Sequence, residues 1–240
     1  MRNDGRQPDE LRNIKITRKY TEAPDGSVLV EFGKTKVICT ALVEETVPPF
    51  LFNSGQGWVT SEYAMLPGAS PQRKQRESRR GKADGRSLEI GRLAGRCLRA
   101  ITEMKLLGQR TIWVDCDVLQ ADGGTRTAAI TGGFVALHDA VKALSKRTEL
   151  KGWPLKSNVA AISVGLINDE PILDLNYEED SRASVDMNII MTAAGEYVEI
   201  QGGAERNTFT DTQLEAMLSL GRKGISDLIV LQNEALGVVL

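Results

Sequence analysis

Two periods of apolar residues divide this chain, a two-residue alternation that predicts strands and a three-to-four-residue spacing that predicts helices. After a polar opening over residues 1–12, Ile14-Lys15-Ile16-Thr17 begins a β-rich block. Ser27 to Phe32 and Lys36 to Val43 predict paired strands joined at the turn Gly33-Lys34-Thr35. Gly57 to Tyr63 alternates as a further strand. The period then changes. From a cap at Asp84 or Ser87, the positions Ile90, Leu93, Ala94, Cys97, Leu98, Ile101 and Met104 form one stripe of a helix that Gly108 ends. Ile112 to Leu119 returns to strand and runs into Gly123-Gly124. A second helix follows, with Ile130, Phe134, Leu137, Val141 and Leu144 on one face.

The segment Lys146 to Ser157, with Gly152 and Pro154, reads as a hinge between two lobes, residues 1–150 and 151–240. Beyond it, Val159 to Ile167 and Ile172 to Asn176 predict a hairpin around Asn168-Asp169-Glu170-Pro171. Val185 to Thr192 and Tyr197 to Gln201 predict another, turning at Ala194-Gly195-Glu196. Thr210-Asp211-Thr212-Gln213 has capping-box spacing and opens a last helix carrying Leu214, Met217, Leu218, Ile225, Leu228 and Ile229. Each lobe is strands first and helix after, so the expected class is α+β by duplication.

Composition narrows the chemistry. At 240 residues, 41% hydrophobic and 26% charged, the chain suits one large globular unit or two closely packed lobes. No apolar run is long enough to span a bilayer, and the opening Met1-Arg2-Asn3-Asp4-Gly5-Arg6 does not resemble a signal peptide. Cys39, Cys97 and Cys116 have neither zinc-ligand nor redox spacing, so buried reduced thiols in the cytoplasm are expected. The single histidine, His138, lies inside a predicted helix. That argues against histidine-cysteine zinc sites, di-histidine centres and histidine-based triads.

Three stretches carry chemistry. In Gln120-Ala121-Asp122-Gly123-Gly124-Thr125-Arg126-Thr127 a strand enters a glycine turn and then a helix N-terminus bearing an arginine. Bared N–H groups, the helix dipole and a guanidinium together describe an anion site. Arg126 opposes the macrodipole in the first turn, which calls for an anionic partner. No lysine follows the glycines, so this is not a Walker loop. The second stretch is acidic, Tyr177-Glu178-Glu179-Asp180-Ser181-Arg182, read as a loop entering the strand from Val185. Asp180 and Asp186 suit Mg²⁺ or Mn²⁺, which take one or two carboxylates and keep several waters. Asp115 and Asp117, on one face of the strand leading to the glycine turn, are a competing pair or simply its solvent side. The third is basic. Between Gln72 and Arg86 stand Arg73, Lys74, Arg76, Arg79, Arg80, Lys82 and Arg86 against Glu77 and Asp84, a local +5 in a chain of net charge −2. Such a run reads as a docking loop for nucleic acid phosphates.

The residues Asp84-Gly85-Arg86, the stretch Val118 to Ala128, and Asp180 with Asp186 closely resemble the bacterial ribonuclease PH family, over essentially the whole chain. The resemblance implies two βαβ-type lobes of the ribonuclease PH-like fold and a homohexamer built as a trimer of dimers. It implies a phosphate-dependent tRNA nucleotidyltransferase that trims the 3′ ends of tRNA precursors and other structured RNAs. Nucleoside 5′-diphosphates would be released, and the reverse reaction would add nucleotides. By position, Arg86, Gly124, Thr125 and Arg126 match the family's phosphate site, and Asp180 and Asp186 its metal-binding and catalytic carboxylates, Arg126 sharing in catalysis. Arg73, Arg76, Arg79 and Arg80 match its tRNA-binding loop. Polynucleotide phosphorylase, a relative, has a lysine where this chain has Asn188. Two rival readings are a non-catalytic RNA-binding ring subunit and a metal-dependent hydrolytic nuclease.

Overall fold

Alternation along residues 35–41 reflects a strand covered on one face more than on the other. In the computed structural model, which describes residues 2–76, 79, 81, 84–204 and 208–238, Val37, Cys39 and Ala41 are fully buried while Lys36, Ile38 and Thr40 are only half-buried. They lie on β3 (Thr35–Glu44), which pairs antiparallel with β2 (Gly26–Phe32); β1 (Ile14–Arg18) flanks β2. β4 (Trp58–Met65) and β5 (Thr111–Gln120) run parallel, and the five-stranded order is β1-β2-β3-β5-β4. The second sheet, in the order β7-β6-β8-β9, is built from β6 (Val159–Ile167), β7 (Glu170–Leu173), β8 (Val185–Thr192) and β9 (Tyr197–Ala204).

Helix α1 (Gly85–Ala100) packs on β4, and it is shorter than its apolar stripe predicts. Thr102 leaves the helix to bridge Leu155, the Glu103 N–H donates to the Pro154 carbonyl (2.8 Å), and the Ile101 carbonyl accepts from Lys156 (2.8 Å). This pairing competes with the next helical turn, so Met104 starts a separate short helix, α2 (Met104–Leu107), which ends at Gly108. The long helix α3 (Thr125–Arg147) departs from expectation in another way. Its Ala128, Ala129, Val135 and Ala136 are fully buried as well as its expected apolar face, because it packs against β2, β3 and β5 of one sheet and β6 of the other. Helix α5 (Asp211–Leu236) also touches both sheets, through β1 and β6–β8. One apolar core therefore runs through both sheets and the helices joining them.

In the second half the hairpin turn is only Asn168-Asp169, both at positive φ, so Glu170 and Pro171 belong to β7 rather than to the turn. The acidic stretch expected as a loop is instead a helix, α4 (Tyr177–Arg182). Asn176 caps it: its side chain accepts from the Glu179 N–H, and the Glu179 carboxylate accepts from the Asn176 N–H, both at 3.0 Å. A capping box at Thr210 and Gln213 opens α5 as predicted. All three cysteines are free and buried, and burial pushes the Cys97 thiol up to about 12.

Candidate active site

The glycine turn between β5 and α3 is fixed from several sides. The Thr35 hydroxyl accepts from the Asp122 N–H (2.8 Å) and donates to the Gly123 carbonyl (2.7 Å). Arg12 Nη1 donates to the Asp122 carbonyl (2.7 Å). Gly123 and Gly124 have φ of +77° and +64°, a region that L side chains rarely adopt. A Cβ on Gly123 would stand 2.7 Å from the Leu175 carbonyl oxygen and 2.8 Å from the Tyr177 nitrogen. The turn therefore lies directly on the backbone that starts α4. Gly124 is the N-cap of α3 and offers no side-chain acceptor, which leaves the first N–H groups and the positive end of the dipole to an anion.

Thr125 and Arg126 open α3. The buried Tyr63 hydroxyl donates to Thr125 Oγ1 at 2.8 Å, so the threonine's own proton can turn toward an anion. Burial pushes the Tyr63 phenol up, opposed by its bond to Thr125 and by the charges of Arg86 and Arg126, and it stays a neutral donor. Arg126 Nη1 donates to Gln201 Oε1 (2.6 Å) and to Glu89 Oε1 (3.2 Å). Glu89 on α1 is thus an anionic partner within the chain, and Gln201 on β9 ties the guanidinium to the second sheet. Arg86 sits in the first turn of α1 and lines the same cavity as Thr125 and Arg126.

The other wall comes from the second sheet. Asp186 and Asn188 are two apart on β8 and share a face, and Ser163 on β6 pairs with Asn188. Asp180 projects from α4. These residues meet Arg86, Gly124, Thr125, Arg126 and Met187 around a cavity of about 170 Å³. The structure brings together all six residues expected at the phosphate and carboxylate sites. Arg86, Arg126 and the N-terminus of α3 come from the first half of the chain, and Asp180 and Asp186 from the second.

The donors on the carboxylate side suit a divalent ion. Asp180, Asp186, the Asn188 amide and the Ser163 hydroxyl offer hard oxygens, the ligand type that Mg²⁺ and Mn²⁺ prefer. Among the described residues, no three His, Cys, Asp or Glu side chains gather closely enough to hold a metal by themselves. The set fits an ion bound by two carboxylates and completed by water and substrate oxygens, not a closed protein cage.

Asp115 and Asp117 are not among the residues lining this cavity. They sit on β5 beside Glu62, which pairs in register with Asp115. Burial and then the Glu62 charge push both carboxyls up. Arg73, Arg76 and Arg79 are exposed and stand outside the cavity wall. Arg80 and Lys82 lie outside the described residues. Sequence reasoning missed Tyr63, Ser163, Gln201 and the pair Arg12–Asp174. Only Asp174 left a signal, as a lone charge in the run Ile172-Leu173-Asp174-Leu175.

Comparison with known proteins is consistent across sequence and fold. The 3′ exoribonuclease family, RNase PH, matches residues 10–143 with its domain 1 and residues 157–224 with its domain 2. Ribonuclease PH of Corynebacterium efficiens is 57% identical over 237 residues, covering 99% of this chain and 97% of that protein. Among solved structures, rice (Oryza sativa) Rrp46 superposes with a TM-score of 0.79 at 19% identity, covering 98% of this chain and all of that one. An Archaeoglobus fulgidus exosome with RNA bound to the active site gives 0.81 at 22% identity, over 95% and 91%. At such identities these two structures speak to fold alone. Among the described residues, no helix is long and apolar enough to cross a membrane.

Proposed function

This chain belongs to the ribonuclease PH family of 3′ exoribonucleases, and on that premise we propose that it shortens tRNA precursors and other RNAs from the 3′ end by phosphorolysis. The observation that carries the reading is the meeting of an anion cradle and two carboxylates in one cavity of one chain.

Inorganic phosphate is the co-substrate. The first N–H groups of α3 and the Thr125 hydroxyl hold it, while Arg126 and Arg86 neutralise and orient it. One phosphate oxygen forms a bond to the phosphorus of the terminal phosphodiester, in line with the departing 3′ oxygen. The bond between that phosphorus and the 3′ oxygen breaks, the 3′ oxygen takes up a proton, and a nucleoside 5′-diphosphate leaves. Asp180 and Asp186 would hold Mg²⁺ or Mn²⁺, which supplies charge neutralisation at the transferring phosphoryl group. The chain's work is positioning and electrostatics, and no covalent nucleophile is required. A phosphoanhydride replaces a phosphodiester, so excess diphosphate drives nucleotide addition to 3′ ends.

The exposed arginines Arg73, Arg76 and Arg79, with Arg80 beside them in sequence, grip the tRNA body through its phosphates. The lobe of residues 1–150 supplies the phosphate site and this loop, and residues 151–240 supply the carboxylates. The working form is a cytoplasmic homohexamer, a trimer of dimers; the family resemblance supports this assembly.

A non-catalytic ring subunit would not need both halves of the site, and a hydrolase would not need a cradle for free phosphate. The test is 3′-extended tRNA with Mg²⁺, with and without phosphate, and identification of the released nucleotides. Diphosphates should appear only with phosphate. Monophosphates in either tube would overturn the reading.

A further inference from the structure

The opening Arg2-Asn3-Asp4-Gly5-Arg6 takes no part in the chemistry above, yet its side chains are engaged deep in the second half of the molecule. Arg2 grips both carboxylate oxygens of Glu179, Nε at 2.7 Å and Nη2 at 2.8 Å, and the two side chains are 2% and 6% exposed. Arg6 reaches the same carboxylate at 3.3 Å. Asn3 accepts from the Asn176 side chain and donates to Glu178. Glu179 is the third residue of α4 and half of its capping box, and the next residue is Asp180. A helix of six residues does not hold its own orientation in water, so these outside contacts help to place α4, the helix that carries Asp180.

The same segment also reaches the phosphate side. Arg12 pairs with fully buried Asp174 through Nε (3.0 Å) and Nη2 (2.8 Å) while its Nη1 donates to the Asp122 carbonyl of the glycine turn. Pro8 lies between the two grips, its carbonyl accepting from the Leu173 N–H (2.8 Å). Neither Arg2, Arg6 nor Arg12 lines the cavity. Buried ion pairs stabilise a fold no better than well-packed apolar side chains, so two of them along one strap need a reason beyond stability.

We propose that residues 2–12 are a positioning strap. Through Arg2–Glu179 and Arg12–Asp174 they fix the separation between the phosphate cradle and the carboxylate of Asp180. The proposal rests on the phosphorolytic reading, and Arg2, Arg12, Glu179 and Asp174 act in it as positioning residues, not catalytic ones.

The decisive variant is Arg2→Met with Glu179→Met, which removes both charges together and leaves neither buried alone. Its folding is checked by circular dichroism and thermal melting. Its affinity for Mn²⁺ alone, read from the spin resonance of free Mn²⁺, should fall about tenfold, as is typical when a support behind a metal ligand is lost. The turnover rate at saturating metal and phosphate should fall with it, while the KM for tRNA stays put. Asn3→Ala, a change at an exposed side chain, should weaken Mn²⁺ binding in the same direction and serves if the double variant does not fold. Wild-type Mn²⁺ affinity and turnover in a folded variant would overturn the strap alone. Monophosphate release by the wild type would overturn the phosphorolytic reading while leaving the Mn²⁺ result to judge the strap. Wild-type protein that bound no Mn²⁺ would overturn the carboxylate site and the strap's purpose with it.

Discussion

Replacing Gly123 by alanine separates two costs that usually come together. The first is conformational. At φ +77° an L residue pays about 1–2 kcal/mol relative to glycine. The second is steric, because the new methyl would meet backbone atoms at Leu175, Asn176 and Tyr177, each closer than 3 Å. Backbone cannot rotate away as a flexible side chain can, so about 1–3 kcal/mol of overpacking is added. Gly195 is the internal control: its φ is +78° and a Cβ there would meet nothing within 4 Å. Gly195→Ala should therefore lose about 1–2 kcal/mol in denaturant unfolding, with kcat/KM for phosphate unchanged. Gly123→Ala should lose roughly 1–3 kcal/mol more than that. It should also force the glycine turn off the start of α4. A shift near 1 Å between the phosphate cradle and Asp180 would cost about a hundredfold in turnover. The assay is phosphorolysis of a short oligonucleotide over a phosphate titration, beside chemical denaturation of both variants. Equal losses of stability and activity at the two glycines would refute the reasoning, since the packing of the turn on α4 would then carry no weight.

Arg126→Ala should raise the phosphate requirement and cut turnover by about a hundredfold or more while leaving tRNA binding in place, and normal phosphate dependence would make the turn merely structural. Asp180→Asn and Asp186→Asn should each abolish metal-dependent activity in a protein that melts as a folded unit; full activity in both would move the metal elsewhere. Replacing Arg73, Arg76 and Arg79 together by alanine should weaken tRNA binding and flatten its salt dependence, by about one slope unit for each phosphate no longer gripped, with a short oligonucleotide little affected. Equal losses on both substrates would place the loop in the active site. Asp115→Asn should stabilise the protein at neutral pH by about 1 kcal/mol or less, since solvent screens a half-exposed group. Its carboxyl is pushed up by burial, Glu62 and Asp117, so the folded state holds the proton more tightly than the unfolded chain does. The wild type therefore loses stability as pH rises through the raised value, and the mutant's advantage should vanish below the ordinary 3.8. A pH series of unfolding free energies checks this, and an advantage that grew toward acid would contradict it.

The parts of this site that sequence reveals are those whose geometry is local. Gly123 to Arg126 specify their own turn and helix start, because positive φ and a dipole need only neighbouring residues. Strands were legible for a similar reason: a strand covered on one face more than on the other keeps the alternation of Val37, Cys39 and Ala41 against Lys36, Ile38 and Thr40. Helix α3 was legible as a helix but not as a buried one, since its second covered side is mostly alanine (Ala128, Ala129 and Ala136, with Val135 the one larger apolar side chain), too little to extend an apolar stripe. Helix α4 was not legible. A run of three carboxylates beside a serine reads as a solvated loop, and what turns it into a helix is Asn176 at its start and Arg2 from 177 residues away. Asp174 posed the same difficulty, because a lone acid in an apolar run announces a buried partner without saying that it is Arg12. The chemical groups are therefore written locally while the distances between them are set by pairs remote in sequence. A change at Arg2 or Asp174 would leave every recognisable motif of the cavity intact and still alter how far the phosphate cradle stands from the carboxylates. Loss of activity at such positions, in a chain that keeps its motifs and its fold, is what this division between local and remote determinants requires.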